Sequence, residues 1–305
     1  MKRNISLALA FLSVVVIGTA VVLLLPGRGK PSGKSVQNQV DNPTVAATIF
    51  PLYDIVKGVT GDSVKVIQIV PAGASPHTFE ASPSLLTGLK GASVVFTVGH
   101  GLDGWVSQVA EAIGAQTLTL DKGIDLLRAH DTEEGGDGAD PHYWLDPNNI
   151  KIMAETVTAE LSRLWPDKAG LFQANLARYR MEIDAADAQA QALLAPIANR
   201  QLVTMHDAWY YFARHFGLEV VGSFEPTAGR EPTPQYLADL SQAVKTAGVK
   251  VVYSEPLIST GALVPFLTDN GLKAVQLDPG EGSLSGRDTM VKIIIYDAQT
   301  ISQNQ

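Results

Sequence analysis

Six histidines and no cysteine define the metal chemistry open to this chain. Without thiolates, neither disulfides nor sulfur-ligated sites can form, so a transition metal must be held by imidazole and carboxylate groups. Four such residues stand where an open parallel sheet binds ligands, just beyond the carboxyl ends of predicted strands. His206 directly follows Gln201–Met205, and Asp278 directly follows Leu272–Leu277. His77 lies in the loop after Val64–Val70, and His142 lies in Asp140-Pro-His-Tyr-Trp-Leu-Asp-Pro147 after a fourth strand. Two come from each half of the chain, so all four can converge on a cleft between two lobes. His100, in Val98-Gly-His-Gly-Leu102, also follows a strand. His215 falls inside a predicted helix, where it packs or faces solvent.

The elements that must position these residues alternate in type. From Thr44 onward, β-branched runs at Thr44–Ile49, Val64–Val70, Ser93–Val98 and Gln116–Leu120 are separated by amphipathic stretches at Leu52–Thr60, Pro83–Leu89 and Leu102–Ile113. A second set follows at Gln201–Met205, Leu218–Gly222, Val249–Tyr253 and Leu272–Leu277. Its predicted helices are Ala208–Phe216, Pro234–Thr246, Gly261–Asn270 and Asp288–Ile301. Apolar strands alternating with helices predict parallel sheets covered on both faces, here two four-stranded α/β lobes.

Between the lobes, Asn148–Leu164 carries Ile152, Val157, Leu161 and Leu164 at helical spacing until Pro166 breaks it. The chain resumes as a helix from Asp167 to about Leu194, spanning roughly 40 Å. Its apolar positions Leu171, Phe172, Leu176, Tyr179, Ile183, Ala186, Ala190 and Leu193 keep the helical period. With no glycine beyond Gly170 and no proline, this segment reads as a strut more than a hinge. The expected division is a lobe at 44–165, a linking helix at 166–197 and a lobe at 198–305.

Composition is consistent with this. A chain of 305 residues, 46% apolar and 18% charged, supports two real cores and argues against disorder. The formal charge is −8, although residues 1–30 carry Lys2, Arg3, Arg28 and Lys30 with no acid. An acidic body excludes nucleic acid as a partner, because phosphate binding needs clustered Lys and Arg. It suits a cationic ligand. At the N-terminus, the uncharged run Ile5–Leu25 is long enough for about 30 Å of hydrocarbon. Gly18-Thr19-Ala20 is a candidate cleavage site, but the apolar run continues past it. Residues 1–25 are therefore read as an uncleaved anchor over a cleaved signal, with the body exported to the periplasm or cell surface. Residues 26–43 read as a flexible tether.

Several separated motifs then point to a family. Pro71-Ala-Gly-Ala-Ser-Pro-His-Thr-Phe-Glu80, Asp140-Pro-His-Tyr-Trp-Leu-Asp-Pro147, His206-Asp-Ala-Trp-Tyr-Tyr-Phe212 with Phe216-Gly-Leu218, and Tyr253-Ser-Glu-Pro256 stand in order. With them, the stretch from about Val45 to Thr300 resembles the zinc and manganese solute-binding receptors of ABC transporters, the cluster A-I group. The resemblance implies two α/β lobes joined by one long rigid helix, with metal bound between them. It carries the ligand positions onto His77, His142, His206 and Asp278, in agreement with the strand-end reading.

Members resembling manganese receptors present two histidines and two carboxylates, with Glu where this chain has His206. Three imidazoles and one carboxylate suit Zn2+ better than the harder Mn2+. A manganese or iron receptor of the same family is the alternative. Asp278 precedes Pro279, a turn signal, so bound water or Glu80 are the other candidates for the fourth position. Glu80, His100 and Glu255 are read as rim or supporting residues. Trp209, Tyr210, Tyr211 and Phe212 are read as core and lining, and Trp144 and Asp146 as packing and capping the next helix. The stretch Arg128–Asp140, with His130 among acids, reads as a solvated acidic loop.

The implied partner is a membrane ABC permease, and the receptor itself, expected as a monomer, catalyses nothing. Catalytic zinc keeps a position open for water, whereas four protein ligands close the sphere. No His-Glu-x-x-His pair or Gly-x-Ser-x-Gly elbow occurs, so a zinc hydrolase is a distant second reading. Nothing in the sequence bears on an added adhesin role.

Overall fold

The computed structural model describes residues 43–129, 138–226, 230–257, 261–282 and 284–305. The expected anchor, the tether up to residue 42 and residues 130–137 of the acidic loop, His130 included, fall outside this set. Among the described residues no helix is long and apolar enough to cross a membrane.

The first half runs β1 (Thr44–Ala47), α1 (Phe50–Thr60), β2 (Lys65–Gln68), α2 (Pro83–Leu89), β3 (Val94–Thr97), α3 (Val106–Ile113) and β4 (Gln116–Thr119). Two long helices follow, α4 (Pro147–Leu164) and α5 (Ala169–Leu194). The second half runs β5 (Gln201–His206), α6 (Tyr210–Phe216), β6 (Glu219–Glu225), α7 (Pro234–Ala247), β7 (Val251–Ser254), α8 (Leu263–Asn270), β8 (Lys273–Gln276) and α9 (Met290–Ser302). Each half forms a four-stranded parallel sheet, ordered β2-β1-β3-β4 and β6-β5-β7-β8. The order reverses beside β1 and beside β5, and that reversal opens a crevice at the carboxyl ends of the strands. The predicted fold class is therefore the observed one. The interior strands β3 and β7 are buried at every position, as continuous apolar runs require, while the edge strand β8 is largely exposed.

Two boundaries differ from the sequence reading by three residues or more. Helix α3 starts at Val106, not Leu102, because the Asp103 carboxylate accepts from Val98 N (2.7 Å), Gly99 N (2.8 Å) and Thr48 Oγ1 (2.7 Å). That carboxylate folds the residues after β3 into a turn. Strand β6 continues to Glu225, past the predicted end at Gly222, with a register shift opposite Leu202/Val203.

Helix α5 buries Phe172, Leu176, Tyr179, Ile183, Ala186, Ala190 and Leu194, in steps of three and four. Leu171, expected in this stripe, is 46% exposed. The buried face packs on α1 and α4 of the first half and on α9 of the second. One hydrophobic core runs through inner-face residues of both sheets and through α5, from Val45 and Phe96 to Tyr253 and Ile294. The strut is thus embedded in the core.

Asp54 of α1 bolts these helices together. Its Oδ2 accepts from Tyr179 Oη of α5 (2.9 Å) and from Met290 N at the start of α9 (3.1 Å). Burial raises its pKa from 3.8 to about 6, against the lowering effect of both hydrogen bonds. The folded carboxyl then keeps a proton that the unfolded one has lost. Stability accordingly falls as pH rises from about 4 to about 6, and a penalty of about 3 kcal/mol is in full effect above that window. Asp54→Asn keeps an oxygen for both donors. It is expected to raise stability at pH 7 by about 1–3 kcal/mol and to flatten the dependence between pH 4 and 6, as read by denaturant unfolding. Lower stability at pH 7 would show that the ionised carboxylate is the better partner.

Candidate metal centre

His77 sits in a 3-10 turn, Pro76–Thr78, in the loop beyond β2. His142 immediately precedes a second such turn, Tyr143–Leu145, and His206 is the last residue of β5. His142 and His206 are buried and His77 is half-buried. Their rings converge: Nε2 of His142 lies 3.4 Å from Nε2 of His77 and 3.3 Å from Nε2 of His206. One nitrogen from each of the three lies within 4.8 Å of the others.

The backs of two rings are held by carboxylates. Asp140 Oδ1 lies 2.8 Å from Nδ1 of His142 and also accepts the His142 backbone N–H (2.9 Å). Glu255 Oε2 lies 2.7 Å from Nδ1 of His206, and its Oε1 accepts Trp209 Nε1–H (2.9 Å). An Nδ1–H donated to a carboxylate leaves the lone pair on Nε2. Two such lone pairs at 3.3 Å repel one another unless a cation lies between them. A tetrahedral zinc with bonds of 2.0–2.1 Å sets its nitrogens about 3.3 Å apart, so the spacing fits that ion.

Electrostatics keep the rings ready. Burial, then the neighbouring histidines, push protonation of His77 and His142 well below the ordinary 6.5, so both are neutral at physiological pH. Burial would raise Glu255, but the charge and hydrogen bond of His206 and the Trp209 bond outweigh it and hold its pKa low. The cluster opens into a cavity of about 500 Å³ whose walls include Phe50, Val70, Trp144, Leu257 and Glu281. Glu281 is raised to about 8, first by burial and then by Glu255 and Asp278. Its Oε2 is buried and accepts no hydrogen bond among the described residues.

The other sequence candidates lie elsewhere. Asp278 is fully buried and outside the three-histidine cluster. Its Oδ1 accepts the N–H groups of Gly280 and Glu281 (3.0 Å each), and its Oδ2 faces Arg287 Nε at 3.6 Å. Glu80 is exposed and does not line the cavity. His100 is 3.2 Å from Asp121 and stands edge-on to Tyr143. Glu255 supports His206 from behind. His215 packs, as expected, edge-on against Phe216, and it is also clamped between Asp146 (2.9 Å) and Asp187 (2.8 Å), joining α6 to α4 and α5. Burial would lower its pKa, but these two hydrogen bonds raise it. Trp144 donates to Pro279 O (2.7 Å) and Asp146 caps α4 through Asn148 N (2.8 Å). Sequence reasoning passed over Asp140 and Glu281. The Asp-x-His spacing of Asp140 and His142 carried a signal for the first, and a carboxylate between two glycines, just past β8, for the second.

The family model for the periplasmic zinc-uptake complex component A matches residues 45–304. The chain belongs to this family. Zinc-binding protein AdcA of Streptococcus pyogenes serotype M1 is 30% identical over 259 residues, covering 78% of this chain and 50% of that protein. The chain therefore spans about half the length of the streptococcal relatives it matches. The high-affinity zinc uptake system protein ZnuA of Bacillus subtilis (strain 168) is 25% identical over 276 residues, covering 86% of each. A crystal structure of ZnuA superposes with a TM-score of 0.77 at 27% identity, covering 87% of this chain and 99% of that one.

The carboxylate backing of His142 and His206 has a metal-free signature. Two-bond proton–nitrogen NMR spectra of the metal-free protein at pH 7 are expected to show Nδ1 protonated in both rings and the His142 ring neutral. An unprotonated Nδ1 in either ring, or an imidazolium at His142, would contradict the arrangement.

Proposed function

We propose that this chain is an extracytoplasmic receptor that captures Zn2+ through Nε2 of His77, His142 and His206 and delivers it to a membrane permease for uptake. The observation that carries this reading is the convergence of ring nitrogens at 3.3–3.4 Å, with Asp140 and Glu255 behind two of them. Such an array is costly when empty and closes around a tetrahedral dication. The fourth donor in this reading is Glu281, whose buried Oε2 borders the same cavity, in preference to Asp278, Glu80 or water. Three nitrogens and one carboxylate favour Zn2+ over Mn2+. Four protein donors leave no position for an activated water, so the site captures and releases rather than catalyses.

Ligands come from both halves of the chain, with residues 44–165 and 198–305 as the two lobes and 166–197 as the linking helix. The family description as a periplasmic uptake component and the names of the zinc-binding relatives support export and a permease partner. The basic-flanked apolar run Ile5–Leu25 supports export and membrane tethering. Every donor in this reading comes from one chain, so capture needs no second copy, and a monomer is the proposed working state.

Competition titration of the purified body (43–305) with a chelator is the test. One tight equivalent of zinc and much weaker manganese are expected. His206→Ala is expected to weaken zinc by more than about 100-fold, beyond the loss typical of an outer partner, with its thermal unfolding still cooperative. Tight manganese, or unchanged zinc affinity in a folded His206→Ala protein, would overturn the reading.

A further inference from the structure

Behind the cavity wall lies a buried acidic pair that the capture reading does not use. Asp297, on α9, is 1% exposed, and its Oδ1 accepts the backbone N–H of Asp278 (2.9 Å). Asp278 in turn caps the loop that follows β8, with Oδ1 accepting from both Gly280 N and Glu281 N. Arg287 faces Asp278 Oδ2, and its guanidinium lies 4.1 Å over the Tyr296 ring. Tyr296 Oη donates to Gln276 O (2.9 Å), which anchors this group to the end of β8.

The loop between Asp278 and Gly282 is also fixed from the first half. Trp144, whose ring packs against His142, donates to Pro279 O. Gly280 has φ +101°, and a Cβ there would come within 2.7 Å of Pro51 Cγ. Gly282 has φ +65°, and a Cβ there would run into the Phe50 ring. The loop therefore holds a single path, and Glu281 is its one acidic side chain on the cavity wall. Burying two carboxylates side by side is costly, and a plain turn does not need them.

We propose that Asp297 and Asp278 are positioning residues that aim Glu281 at the metal without touching it. This rests on the zinc-capture reading and adds a line of control reaching it from α9. Asp297 sets the backbone of Asp278, and Asp278 sets the backbone of Glu281.

The test compares zinc affinity, by chelator competition, in wild type, Asp297→Ala, Asp297→Asn, Asp278→Asn, Glu281→Ala and the Asp297→Ala/Glu281→Ala double variant. Asp297→Ala is expected to weaken zinc by about 10- to 100-fold, the usual effect of an outer partner. Asp297→Asn restores the affinity, because its amide oxygen still accepts the Asp278 N–H. The double variant is expected to bind no more weakly than Glu281→Ala alone, since the two act as one unit. Asp278→Asn keeps its turn oxygen and so keeps its affinity, whereas loss of a ligand would weaken it. This variant decides the matter even where Asp297→Ala fails to fold. Additive losses in the double variant, an unaffected Asp297→Ala protein or a strongly weakened Asp278→Asn protein would each overturn the inference alone. A wild-type protein that holds no zinc would overturn the capture reading and the inference together.

Discussion

Three imidazole nitrogens gathered within 4.8 Å of one another govern this molecule. Neutral imidazoles do not gather lone pair to lone pair without compensation, and two of these are locked in that orientation by ionised or hydrogen-bonding carboxylates. For His77 and His142 protonation offers little escape, because desolvation disfavours the imidazolium. A cation at the centre relieves the crowding of all three rings. The free energy invested in folding the site empty is thus recovered as metal affinity, which is how preorganisation works in other metal sites.

That arrangement sets demands on the scaffold. His206 must stand at the end of a rigid central strand, and His77 and His142 must arrive from loops of the other sheet. The common core through α5, together with the Asp54 bolt and the His215 clamp, keeps the halves in register at the cavity. Each bolt is polar, at least partly buried and joins elements far apart in sequence. Apolar packing alone would tolerate small slips of one half on the other, whereas a buried hydrogen bond does not. A shift of half an ångström would matter here, because metal–nitrogen bonds are short and stiff.

Much of this was legible in the sequence, and the reasons are physical. Eight strands and the long helix followed from apolar runs whose period and length differ between strand and helix, and α5 carried no breaker to end it early. The start of α3 was not legible, because it depends on Asp103 reaching back to Thr48, across 55 residues. The three histidines were legible as a group because parallel sheets deliver strand ends to one crevice. The same rule pointed to Asp278, yet its carboxylate is taken up by the backbone of the turn that Pro279 begins. Glu281 reaches the cavity only because that turn exists. Asp140 and Glu255 act through contacts with ring nitrogens, and side-chain orientation of that kind is set by packing, not by local pattern.

Zinc K-edge X-ray absorption on the one-to-one zinc complex tests the central claim most directly. The account predicts a four-coordinate ion with three imidazole nitrogens at about 2.0–2.1 Å and one carboxylate oxygen at similar distance. A six-coordinate, oxygen-rich shell without imidazole scattering would contradict it.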